Sequence, residues 1–332
     1  MIAVLRSFLG RAGALALLPL SVVPMMLLVP ALVHSRDRFE REHGAGPYAA
    51  PPVLFTPATL ARYTPVAPFT GAVPVLAYHG VNDHNDHYSV SREEFARQIA
   101  MLDLSGYRTI TIDQYLRFRR GDVAGLPERP ILITFDDGRL DSYRGADRIL
   151  ERHGMSAVMY VITGPIQEAN PFYLTWKELQ RMRRSGRWDV QPHAADGHVE
   201  VVTDPTGTTA PFYANPRYTR SEGFETFAAY TQRVATDIYA LKDDFRRHGI
   251  PSETFAVPYG DDGQHARDPR VPAFLEELFA TQFRVVFVQS PGNDPRYTRP
   301  TGAATRYEVH TETTTDALRS WLVRHDPGER RS

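Results

Sequence analysis

Residues 191–198 read Gln-Pro-His-Ala-Ala-Asp-Gly-His and set two histidines, His193 and His198, five positions apart. Two ligands on one helix face stand four apart, one turn above each other. A spacing of five splays them by more than a right angle. Pro192 and Gly197 break helix, and residues 188–191 read as a short strand. The spacing therefore predicts a loop leaving a strand, which can fold two imidazoles toward one ion where a helix cannot. Residues 134–138, Thr-Phe-Asp-Asp-Gly, supply adjacent carboxylates at another strand end. Of such a pair, one carboxylate can bind a metal while the other stays free as a base, although Asp-Asp-Gly also suits a plain turn. Two histidines and one carboxylate make a metal set that leaves positions for water and substrate. Residues 255–260, Phe-Ala-Val-Pro-Tyr-Gly, end a strand on a rigid turn. Such a turn can aim a backbone N–H, for instance that of Tyr259, at a developing oxyanion.

The chain must place these groups together. Apolar runs at 73–78, 107–112, 130–135, 157–162, 188–191, 255–257 and 284–289 predict strands, with 306–309 as a further one. Between them, helical spacing of apolar residues predicts helices at 91–104, 113–120, 140–153, 176–184, 222–248, 271–279 and 315–324. The first of these opens on Ser-Arg-Glu-Glu, a capping pattern. This alternation predicts a parallel sheet wrapped by helices, an α/β fold of distorted (β/α)7-type barrel form, with an open doubly wound sheet as the alternative. His79, Asp136, Asp137, His193 and Tyr259 all follow strands, and C-terminal strand ends share one face of such a barrel. Residues 203–220 read as a long loop, and Asp261 and Asp262 as surface residues.

Bulk composition narrows the chemistry. The 332 residues contain no cysteine, so disulfides, thiolate metal sites and cysteine nucleophiles are excluded. With a hydrophobic content of 42% the chain can bury a substantial core, and a net charge of −1 favours no nucleic-acid partner. Residues 12–33 carry no charge and are flanked by Arg6, Arg11, Arg36 and Arg38. That run is long enough to span a bilayer and reads as an uncleaved signal-anchor with 1–11 cytoplasmic; a cleaved signal and a secreted chain are the alternative. Either reading puts the rest of the chain outside the cytoplasm. Six prolines fall within residues 46–72, so 34–72 reads as a linker or wrapping segment. Residues 73–325 form the predicted catalytic domain, and 326–332 a tail.

The order Thr-Phe-Asp-Asp-Gly, paired-histidine loop, Pro-Tyr-Gly resembles the polysaccharide deacetylase family, carbohydrate esterase family 4. The spacing of five, the early Tyr78-His79, the helix from Ser91 to Phe95 and the long helix before Pro-Tyr-Gly are similar to its poly-β-1,6-N-acetylglucosamine N-deacetylase branch. The resemblance implies Asp136 as general base and Asp137, His193 and His198 as ligands of a divalent metal, with zinc first and cobalt or nickel as alternatives. It implies His79 as general acid, with His310 as the alternative, and the Tyr259 N–H at the oxyanion. Many members carry an arginine just before Pro-Tyr that orients the base; Phe255, Ala256 and Val257 stand there instead. The implied substrate is an extracellular N-acetylglucosamine polymer, the implied setting the cell membrane and a biofilm or surface matrix, and a polysaccharide synthase a compatible partner. Peptidoglycan or chitin oligomers are alternative substrates, and a non-catalytic polysaccharide-binding module is the alternative from another class.

Overall fold

Eight parallel strands form one sheet: β1 (Val75–Tyr78), β2 (Arg108–Thr109), β3 (Pro130–Phe135), β4 (Ala157–Ile162), β5 (Trp188–Ala194), β6 (Thr254–Ala256), β7 (Val285–Gln289) and β8 (Ala304–Glu308). The computed structural model describes residues 46–63, 73–84, 86–289 and 303–324. The apolar run 12–33 and the tail 326–332 lie outside the described residues, among which no helix is long and apolar enough to cross a membrane. The strand order is β6-β7-β8-β1-β3-β4-β5, with β2 paired to the first residues of β3. The sheet curls into a nearly closed barrel, as the alternation of elements predicts.

Among the described residues no backbone ladder joins the end strands β5 and β6. A side chain does that work at the seam. Gln191 Oε1 on β5 accepts the N–H groups of Glu253 at 2.9 Å and Thr254 at 3.0 Å, and the Thr254 hydroxyl at 3.3 Å. Along the path from β6 to β5, each pair of neighbouring strands is joined by backbone ladders, as buried peptide groups require.

Strand side chains alternate between two cores. Val75, Leu132, Val158, Tyr160, Phe287 and Ala304 share the inner cluster. Leu76, Ile131, Ile133, Phe135, Met159 and Val161 face outward into a larger cluster. Helices α1 (Pro57–Tyr63), α2 (Arg92–Leu104), α3 (Ile112–Arg119), α4 (Leu140–Arg152), α5 (Trp176–Arg184), α6 (Phe227–Arg247), α7 (Val271–Gln282) and α8 (Thr315–Arg324) surround the sheet. In α6, Tyr230, Val234, Ile238, Leu241 and Phe245 recur every three or four residues and are all buried. Helix α3 belongs instead to the inner cluster, where Tyr115 meets Phe287 at 5.3 Å between ring centroids. Ser91 caps α2 through the Glu94 N–H, and Thr111 and Thr175 complete capping boxes with Gln114 and Glu178; each cap contributes about 1 kcal/mol.

Several details differ from the sequence reading. Strand β5 runs three residues further than 188–191, so His193 sits on the strand and only His198 on the loop. The ladder to β4, which reaches Ala194, extends it. The 203–220 stretch is not structureless: Glu200–Val202 pairs with Thr209–Pro211, and Tyr218–Thr219 with Gly223–Phe224. Residues 222–226 accordingly fall before α6. Asp261 and Asp262 are buried, not surface, because the turn after β6 folds inward. In the proline-rich segment, Tyr48 donates its N–H to the Arg144 carbonyl at 2.8 Å, and Arg152 binds the carbonyls of Ala50 and Pro51. That part of the segment lies against α4.

Candidate active site

The C-terminal ends of β1, β3, β5, β6 and β8 bring the chemistry-bearing residues together. Asp136 follows β3 and keeps its backbone in the ladder, donating its N–H to the Tyr78 carbonyl at 2.9 Å. Leu132, Thr134 and Asp136 alternate onto one strand face, so the Asp136 side chain enters the barrel. There Arg306 of β8 grips it with two parallel bonds, Nη1 to Oδ1 and Nη2 to Oδ2, both 2.7 Å. Arg306 also donates to Thr134 Oγ1 at 3.2 Å, and that hydroxyl donates to the Leu76 carbonyl at 2.8 Å. Both members of the pair are almost completely buried. Burial by itself would raise the Asp136 carboxyl; Arg306, helped by His193 and His79, outweighs it and holds the carboxyl below its ordinary value. Asp136 is therefore an ionised, oriented carboxylate at neutral pH.

Asp137 turns away from the strand. Its φ is 73°, and among the described non-glycine residues only Ala169 and Tyr259 share that left-handed region. Such a conformation costs of order 1–3 kcal/mol and persists where surroundings enforce it. The turn lifts Asp137 toward the paired histidines. Asp137 Oδ1 lies 3.6 Å from His193 Nε2 and 3.4 Å from His198 Nε2. The same oxygen is buried and has no hydrogen-bond partner among the described residues. His193 Nδ1 lies 2.7 Å from the Ala256 carbonyl oxygen. A carbonyl only accepts, so Nδ1 carries the proton and Nε2 presents its lone pair to the site. That bond also crosses the β5–β6 seam.

One ligand atom from each of Asp137, His193 and His198 lies within 4.8 Å of the others. Two imidazole nitrogens and one unpartnered carboxylate oxygen suit a divalent ion of the zinc, cobalt or nickel kind. The residues present thus fit a metal. Burial would raise the Asp137 carboxyl, but the imidazoles of His193, His79 and His198 hold it well below its ordinary value. Burial and His193 lower the pKa of His198, keeping that imidazole neutral as a ligand must be.

The remaining predicted residues frame this triad. Tyr259 stands at the turn after β6 with φ 59°, and its half-exposed ring stacks on His198 at 4.8 Å. Gly260 follows with φ 63°; a Cβ there would fall 2.0 Å from Gln289 Oε1, so only glycine lets the turn close onto β7. His79 follows β1, its carbonyl bound by the Ser142 hydroxyl at 2.5 Å and its ring tilted against Tyr88 at 5.2 Å. His79 Nδ1 is buried without a hydrogen-bond partner among the described residues. His310 follows β8 on the same face, stacks on His87 at 4.6 Å and lies 3.8 Å from Glu308. Burial pushes its pKa down, with His87 and His79 adding to that against Glu308.

Arg306 is the residue sequence reasoning missed. It does from β8 what the absent arginine before Pro-Tyr would do. Its signal was present: an arginine at an inward position of a barrel strand needs a buried counter-charge, and Asp136 is the carboxylate facing it.

Residues 124–271 match the family model described as polysaccharide deacetylase. The Escherichia coli K12 poly-β-1,6-N-acetyl-D-glucosamine N-deacetylase is 26% identical over 212 residues, which cover 58% of this chain and 31% of that protein. The chain thus spans about a third of the length of that curated relative. The structure of IcaB from Ammonifex degensii superposes with a TM-score of 0.55 at 25% identity, covering 75% of this chain and 96% of that one. A de-N-acetylase from Aggregatibacter actinomycetemcomitans gives a TM-score of 0.64 at 20% identity over 76% of this chain and 100% of that one, a likeness of fold. The matched segment contains Asp136, Asp137, His193, His198 and Tyr259, and residues 124–271 carry the features of a polysaccharide deacetylase domain, a domain of hydrolases.

Proposed function

We propose that the chain removes N-acetyl groups from an extracellular N-acetylglucosamine polymer, β-1,6-linked in the first instance. The observation that carries this reading is an ionised, arginine-held Asp136 beside the Asp137, His193 and His198 triad. The similarity to the E. coli enzyme supports the β-1,6 linkage.

Amide hydrolysis needs an activated water, a polarised carbonyl and a proton for the leaving amine. A divalent ion held by Asp137, His193 and His198 supplies Lewis acidity when bound. Asp136 accepts the proton of the attacking water as its oxygen bonds to the acetyl carbon. Arg306 keeps that carboxylate ionised and aimed. The Tyr259 N–H donates to the carbonyl oxygen as it gains charge. His79 gives a proton to the sugar nitrogen as the C–N bond breaks, leaving acetate and a free amine. Asp136 and His79 thus divide the base and acid roles. In this reading residues 12–33 anchor the domain on the extracytoplasmic side of the membrane. The exposed amines make the polymer cationic and adhesive in a biofilm matrix, and a polysaccharide synthase in the same membrane is a compatible partner.

The test is acetate release from β-1,6-linked N-acetylglucosamine oligomers by the metal-loaded chain, with chitin oligomers alongside. Asp136→Asn and His193→Ala serve as controls. Metal-dependent release lost in both variants is the expected result. Release from chitin alone would overturn the linkage. Bound metal with no release from either oligomer would overturn the polymer assignment. Neither bound metal nor release would favour a polysaccharide-binding module.

A further inference from the structure

We infer that Asp237, on α6, is the positioning residue that folds the 193–198 loop into its ligand-presenting shape, with Tyr213 holding Asp237 in place. The inference takes from the proposed function only that the triad binds metal.

The loop between the two histidines has little regular structure of its own, yet its first residues are held through their backbone on both sides. On one side, the carbonyls of Ala194 and Ala195 accept the N–H groups of Thr163 at 2.9 Å and Gly164 at 3.0 Å. On the other, Asp237 takes the N–H groups. Its Oδ1 accepts from Asp196 at 2.7 Å and its Oδ2 from Ala195 at 3.2 Å. Two successive peptide N–H groups converge on one carboxylate, the arrangement of a backbone anion nest. The Tyr213 hydroxyl donates a short bond to Oδ2 as well. Asp237 is 7% exposed and Tyr213 1%, so water does not compete for these bonds.

Gly197 shows how tightly the loop is drawn down. A Cβ there would lie 2.8 Å from the Tyr213 ring and hydroxyl and 3.0 Å from Asp237 Oδ2. The backbone passes too close for any side chain, and the next residue is the ligand His198. The spacing of five thus has a physical account. A helix holds its ligands by its own hydrogen bonds; here a carboxylate on a neighbouring helix supplies the bonds the loop cannot make. The Asp237 carboxylate receives three donors at once. An asparagine has one acceptor oxygen, and its NH2 would confront an N–H.

The test reads metal binding without substrate. The metal-free full-length chain is titrated with Co(II), following its visible absorption bands and competing with a chelator. Asp237→Ala, Asp237→Asn, Tyr213→Phe and His193→Ala are compared with the parent. Loss of a partner that orients a ligand typically costs about 10–100-fold in metal affinity. Asp237→Ala is expected in that range, Asp237→Asn at roughly its lower end, and Tyr213→Phe below both. Altered Co(II) bands are expected in the Asp237 variants at saturating metal, with unchanged far-ultraviolet circular dichroism. A merely stabilising carboxylate would lower the melting temperature and leave the bands and the Kd alone. Kd values within about twofold of the parent in folded Asp237 variants would overturn the inference, since such a change is under 0.5 kcal/mol. If Asp237→Ala does not fold, Asp237→Asn and Tyr213→Phe decide by the same criterion. A parent that binds Co(II) through His193 but releases no acetate defeats the deacetylase reading and leaves this one standing. A parent that binds no Co(II) overturns both.

Discussion

The two sides of the barrel that supply the triad are built differently. Strand β3 has backbone ladders on both edges, to β1 on one and to β2 and β4 on the other. Asp136 and Asp137 stand at the end of that continuous structure. Among the described residues strands β5 and β6 meet without a ladder, joined by Gln191 from the middle of β5 to the start of β6 and by His193 near their ends. On the β3 side the backbone that bears the carboxylates is placed by peptide groups that any sequence possesses, and Arg306 then aims the Asp136 side chain. On the seam side the chemistry is placed by particular side chains, one of which, His193, is itself a member of the triad. Substitutions on the two sides should therefore fail differently.

The largest effect is expected at Asp136. Asp136→Asn should lower acetate release by about 10²–10⁴-fold, the range for loss of a general base, while the Co(II) titration stays close to the parent. Loss of metal along with activity would show that the two halves of the site are not separable.

Arg306→Met is expected to destabilise the fold by about 3–5 kcal/mol, because it leaves Asp136 buried without its counter-charge. Urea unfolding measures this. The sign of the pH effect follows from the depressed carboxyl. The pair stabilises the fold above the unfolded carboxylate pKa, and that stabilisation is lost as pH falls through the lower folded value. Removing Arg306 leaves burial to raise Asp136, so the acid limb of the kcat/KM profile moves to higher pH. An unmoved limb would mean that Arg306 does not tune the base.

The seam can be tested through paired variants. His193→Ala and His198→Ala each remove one ligand, but only the first frees the Ala256 carbonyl. Metal-free His193→Ala should be the less stable by about 1–3 kcal/mol, the cost of an unsatisfied buried acceptor. Gln191→Leu, which strands the N–H groups of Glu253 and Thr254, should cost a similar 1–3 kcal/mol without loss of any ligand. Equal stability in the histidine pair would mean that the seam does not depend on His193. The smallest effect is expected at Tyr259→Phe. The ring that stacks on His198 and the backbone N–H both remain, so stability should move by less than about 0.5 kcal/mol and acetate release should be nearly unchanged.

Much of the site could be read before the fold was known, for a physical reason. Asp136, Asp137, His193, His198, His79 and Tyr259 all follow apolar strand runs, and parallel strands end on one face. Local signals thus carried global information. Arg306, Gln191 and Asp237 could not be found that way. Arg306 meets Asp136 because β1 alone separates β8 from β3, an order set by closure of the sheet. Gln191 matters because the ladder stops between β5 and β6. Asp237 matters because α6 docks where its carboxylate meets the N–H groups of Ala195 and Asp196. Local pattern also cut β5 short at Gln191, since Pro192 breaks the run, whereas the ladder to β4 carries the strand through Ala194.

The amino-acid order by itself determined the parallel α/β architecture, the strand ends that bear the reactive groups, and the exclusion of thiol chemistry. Hydrophobic periodicity and turn residues act over a few positions, and the sequence records those directly. The tertiary structure alone decided which charge neutralises the buried Asp136, which carboxylate binds the loop before His198, and how the barrel is sealed. Those outcomes join residues 41 to 170 positions apart, and only packing in three dimensions chooses such partners.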